Sequence, residues 1–111
     1  MLNQPVPVAD TILAQMGGFH RINAMVGVKY ARQVTIDNCP GVTFAWRARA
    51  KDSINTCTIT LAPTDTYTVT FSRSRTLAGV PTTKAVATYN DVYNSSLKNL
   101  FECVTELYLS L

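Results

Sequence analysis

Charge is scarce in this sequence: charged residues make up 15% of its 111, against 47% hydrophobic. That ratio excludes a disordered chain, which stays solvated through high charge and few apolar groups. Histidine occurs once, as His20, with no carboxylate beside it in sequence. A lone imidazole without an orienting acid makes a poor general base. Gly-rich phosphate loops are missing too, since Gly17-Gly18 lacks the spacing and the following lysine. The three cysteines, Cys39, Cys57 and Cys103, stand far apart. None has the CxxC spacing that zinc or dithiol chemistry uses. No apolar run approaches the roughly 20 residues that span a bilayer. "MLNQPVPVAD" has two prolines and no early positive charge, unlike a signal peptide. The expectation is one cytoplasmic domain, residues 1–111, with no catalytic residue, cofactor, metal or membrane contact.

What the chain does have is hydrophobic patterning. "ADTILAQMGG" predicts a short helix capped by Asp10 or Thr11, with Ile12, Leu13 and Met16 on one face. Pro5 and Pro7 make the segment before it extended. Ile22, Ala24, Val26, Val28 and Tyr30 share one parity, so "FHRINAMVGVKYA" predicts a strand, and "RQVTID" a shorter one. "DNCPG" predicts a turn. In "TFAWRARAK" Phe44 and Trp46 alternate with Thr43, Arg47, Arg49 and Lys51, as in a further strand, with a polar loop at "KDSIN". "TCTITL" and "TYTVTF" set Cys57, Ile59, Leu61, Tyr67, Val69 and Phe71 against threonines, which predicts an antiparallel hairpin with one buried face. "SRSRTLAGVPTTK" predicts a loop.

The last segment carries a wide helical stripe. Tyr93, Leu97, Leu100, Phe101, Val104, Leu107, Tyr108 and Leu111 recur at spacings of three and four. The predicted architecture is therefore α+β: a short N-terminal helix, a four- or five-stranded antiparallel meander, and a long C-terminal amphipathic helix packed on one sheet face. Cys57 and Cys103 fall at apolar positions and predict core filling. Glu102 and Glu106, four residues apart without a histidine, predict a solvated helix face rather than a metal pair.

The chain resembles a family of small uncharacterised proteins encoded by tailed phages, prophages and related mobile elements. The resemblance rests on "TILAQMGG" with "AMVGVK", on "ITLAPTDTYTVTFSRSR", and on "VYNSSLKNLFECVTELYLSL". Val26 and Val28 around Gly27 depart from the smaller residues usual there. The resemblance implies expression in the cytoplasm of a bacterial host; it implies no activity and no site residue.

Parity places the guanidinium groups opposite the buried rings, so the open sheet face is expected to be rich in threonine and basic. The candidate binding residues are Arg47, Arg49 and Lys51, extended by Arg73 and Arg75, with Arg21, Lys29 and Arg32 as further contributors. Such a face suits phosphate contact and lacks aromatics for base stacking. The expected function is non-enzymatic binding of nucleic acid. Inhibition of a bacterial protein, such as a defence effector, and structural homo-oligomerisation through the face or an edge strand are the alternatives; in all three, exposed Thr and Arg also suit any solvated strand.

Overall fold

Two short helices precede the sheet, α1 (Val8–Gln15) and α2 (Phe19–Val26), in the computed structural model, which describes residues 8–107. In α1, Asp10 lies within the first turn rather than at the cap, where its carboxylate still favours the helix dipole. Ile12, Leu13 and Met16 are buried. The helix closes where the Gly18 N–H donates to the Leu13 carbonyl (2.9 Å) and the Gly17 N–H to that of Ala14 (3.1 Å), a Schellman pattern. Pro5 and Pro7 lie outside the described residues.

The segment expected to open the sheet is helical as far as Val26. Its apolar residues satisfy two periods at once, alternation through Ala24 and helical spacing through Met25. Ile22 and Val26 are buried and Met25 half-buried, while Ala24 is exposed, so packing selects the helix. Gly27 ends it with φ 69°, a left-handed conformation that glycine adopts without steric cost. Its N–H donates to the Asn23 carbonyl and the Val28 N–H to Asn23 Oδ1, both at 2.9 Å.

A five-stranded antiparallel meander follows, in the order β1-β2-β3-β4-β5. The strands are β1 (Val28–Ile36), β2 (Cys39–Trp46), β3 (Thr56–Leu61), β4 (Tyr67–Leu77) and β5 (Val80–Val92). The α+β class and the meander thus hold. Asp37 and Asn38, at φ 52° and 63°, make the two-residue β1–β2 turn, so Cys39-Pro40-Gly41 belongs to β2. At Gly41 the strands crowd: a Cβ there would collide with the Ile59 carbonyl oxygen.

The helices and the buried face of the sheet share one core. Phe101 of α3 (Leu97–Thr105) sits among rings from the strands, with centroids 5.1 Å from Trp46, 6.0 Å from Phe44 and 6.3 Å from Phe71. Tyr67 ties β4 to α1 by donating its hydroxyl proton to Gln15 Oε1 at 3.0 Å. The expected long C-terminal helix is corrected in extent. β5 continues through Val92, a single 3₁₀ turn takes Asn94–Ser96, and α3 has nine residues. Tyr93, expected on the buried stripe, is 66% exposed. Glu106, at φ 59°, stops the helix, with its N–H bonded to the Glu102 carbonyl; Tyr108 and Leu111 lie outside the described residues. Cys57 is buried as expected, but Cys103 is exposed beside the apolar stripe. No helix among the described residues is long and apolar enough to cross a membrane.

Candidate nucleic-acid interface

The open face of the sheet carries the threonines where alternation put them. Thr43, Thr58, Thr70 and Thr88 are paired in register across β2 to β5 and form one row. Their hydroxyls largely satisfy one another: Thr43 and Thr58 are 2.9 Å apart, and Thr70 and Thr88 3.5 Å. Thr68 donates to Asn90 Oδ1 at 3.4 Å.

The basic strand expected along this face does not form. β2 ends at Trp46, whose N–H donates to the Asn55 carbonyl at 3.2 Å. The Arg47 N–H turns to the Gly27 carbonyl (2.8 Å) and the Ala48 N–H to that of Val26 (3.0 Å). These bonds draw the chain toward the end of α2 and out of the sheet. Arg47 and Arg49 are exposed on that connection. Lys51 lies in a one-turn 3₁₀ helix, Lys51–Ser53, and pairs with Glu106 at 3.7 Å. Both ends of that pair are well exposed, so it stabilises little. Phe44 and Trp46 are buried as parity required, yet the cations after them do not share a strand face.

Arg73 and Arg75 meet a different partner. The segment expected as a loop is the outer half of a long hairpin. β3 begins at Thr56, opposite Ser72. Beyond that point β4 and β5 continue as a two-stranded arm with Arg73 opposite Lys84, Ser74 opposite Thr83, Arg75 opposite Thr82 and Leu77 opposite Val80. Ala78 (φ 52°) and Gly79 (φ 81°) form its two-residue tip. Asn55 anchors the base, as its Nδ2 donates to the Ser74 carbonyl and the Ser74 N–H donates to its Oδ1, both at 2.8 Å.

Period-two geometry gives the arm two unlike faces. Arg73, Arg75, Thr82 and Lys84 line a shallow concavity on one side. Ser74 and Thr83 lie on the other, with Thr83 donating to Ser74 Oγ at 3.3 Å. Arg73 and Lys84 are like charges set directly across the ladder, an arrangement that destabilises a strand pair by tenths of a kcal/mol up to about 1. No acidic residue stands anywhere from Thr66 to Asn90 to relieve it. Arg73 is half-buried, and its Nε has no hydrogen-bond partner among the described residues.

Of the five candidate residues, then, the fold joins Arg73 and Arg75 and adds Lys84. Arg47, Arg49 and Lys51 follow the same end of the sheet and do not line that concavity. Lys84 carried a signal in the sequence, being the only other charged residue in the acid-free run from Thr66 to Asn90. No family model, curated protein or solved structure matches this chain.

Proposed function

We propose that this protein binds the phosphate backbone of nucleic acid through its β4–β5 arm, with no catalytic step. The observation that carries the reading is the cluster of Arg73, Arg75 and Lys84 on one face of an arm without acidic residues. Arginine forks and a lysine ammonium are suited to phosphate oxygens. Thr82 lines the same concavity, its hydroxyl donating to the Val80 carbonyl at 3.4 Å. Residues 72–88 contain no aromatic ring, which disfavours the base stacking that single-strand readers use. A two-stranded ribbon, by contrast, fits the B-DNA major groove, which is about 12 Å wide. The Thr-rich sheet face is secondary in this reading because its hydroxyls bond one another. Phage or prophage origin and a bacterial cytoplasm are the proposed setting, on the sequence resemblance alone.

The test is binding to a duplex across a salt series. Three phosphate contacts predict that log K falls against log salt with a slope of about −3. Arg75→Ala should weaken binding to all sequences alike and reduce the slope by about one. Affinity indifferent to salt and to substitution of Arg75 and Lys84 overturns the reading. Retention of an acidic bacterial protein by nuclease-treated material, lost with the same substitutions, supports the inhibitor alternative in its place.

A further inference from the structure

We infer that the outer edge of β1 is a docking edge for a second copy of this chain, pairing antiparallel about Gln33 to join two sheets into one. The two edge strands of the sheet differ. β5 is irregular and guarded, with two register shifts against β4 and with Pro81 and Lys84 along it; such features are how sheet edges resist further pairing. β1 runs in unbroken register against β2 from Tyr30 to Ile36, has no proline, and pairs with no described strand on its outer side. Tyr30 (40% exposed) and Ile36 (47%) are large apolar side chains left on this edge.

The backbone phase is favourable. Ile36 and Cys39 flank a two-residue turn and so form a hydrogen-bonded pair, after which bonded and non-bonded pairs alternate. Tyr30, Arg32 and Val34 therefore turn their N–H and C=O groups inward to β2, and Ala31, Gln33 and Thr35 turn theirs outward. Pro40 supports this phase independently. It stands opposite Thr35 and has no N–H to donate to it.

Among the registers that let the outward groups bond, the one centred on Gln33 matches side chains best. It sets Tyr30 opposite Ile36 of the second copy, Arg32 opposite Val34, and Ala31 opposite Thr35. Lys29, the extra residue at the β1 bulge, then meets Asp37 of the second copy, and each contact occurs twice by symmetry. A centre one residue earlier would place Arg32 against Arg32, like charges in direct opposition. The arms, on β4 and β5, would project from the two far ends of the joined sheet.

Sedimentation of the full chain over a concentration series tests this, with no nucleic acid present. The expected result is a reversible dimer. Gln33→Pro should weaken it at least tenfold without unfolding the monomer, because the lost N–H points away from β2 and proline is tolerated in that position. Register is read by oxidation in a Cys39→Ser, Cys103→Ser background. Gln33→Cys should cross-link, since facing residues of a bonded pair lie about 5.5 Å apart between Cα atoms, within disulfide reach. Thr35→Cys should not, because the two copies of that residue would be offset by about 13 Å. A monomer at every loading, a dimer indifferent to Gln33→Pro, or cross-linking at Thr35 instead of Gln33 overturns the proposal.

Discussion

Asn55 pairs with the backbone of Ser74 through both of its amide atoms, each bond 2.8 Å long. The side chain does for β4 what a further strand residue would do, just where β3 is not yet available. It therefore supports the arm at its root. Asn55→Ala should leave a part-buried carbonyl and N–H unmatched, at a cost of about 1–3 kcal/mol. Asn55→Asp should cost a similar amount, because a carboxylate faces the Ser74 carbonyl with no proton to give it. Hydrogen exchange at the Ser74 amide is the measurement. Faster exchange there, with the β3–β4 ladder unchanged, is expected; an unaltered rate would show that the arm needs no such anchor.

Phe101 joins α3 to three aromatic residues of the sheet. It is 1% exposed, so Phe101→Ala removes a large buried ring whose cavity the sheet cannot close. A loss of about 3–5 kcal/mol is expected by denaturant titration. Leu100→Ala, on the half-buried flank of the same helix, should cost less. Equal losses would mean that the ring cluster does not hold the helix on the sheet.

The β3–β4 hairpin was legible in the sequence because its two faces differ in polarity, with Ile59 and Val69 on one side and threonines on the other. The arm was not, since residues 73–76 and 82–84 are polar on both faces. Alternation has nothing to register there, and "SRSRTLAGVPTTK" has the composition of a loop. Ile22 and Val26 fit both a strand and a helix, and only the burial of Met25 over Ala24 separates them. The alternation of Phe44 and Trp46 holds only to the end of β2 and does not extend to Arg47 and Arg49. The strand stops because Trp46 and Arg47 donate to Asn55 and Gly27, partners distant in sequence. Tyr93 fits the helical stripe by spacing but stands outside the helix, because β5 holds the preceding residues and α3 begins only at Leu97.

The cysteines should separate by reactivity. Cys103 is exposed on α3 and Cys57 is buried, and burial pushes the Cys57 thiol well above its ordinary value of 9.0. The reactive species is the thiolate, so Cys57 is protected both sterically and electrostatically. Labelling of the native protein should modify Cys103 readily and Cys57 only after denaturant is added. Mass spectrometry of the labelled peptides checks this, and rapid native labelling of Cys57 would indicate local opening of β3.

Alkaline pH should destabilise the fold through the same buried thiol and through Tyr67. Burial raises the Tyr67 phenol above its ordinary 10.0, and the charge of Asp65 adds to this. For both groups the folded chain holds its proton at a pH where the unfolded chain has released it. The unfolded state then binds fewer protons, so stability falls as pH rises. Below the ordinary thiol value of 9.0 their contribution is fully present. It declines from there upward, first through Cys57 and then through Tyr67. Denaturant midpoints across the thiol and phenol range should show this fall. Cys57→Ala should flatten its first part and Tyr67→Phe its second, the latter at the expense of about 1 kcal/mol at neutral pH for the lost bond to Gln15. A midpoint that rises through this range, or a fall unchanged in both variants, would mean that neither group stays protonated inside the folded chain.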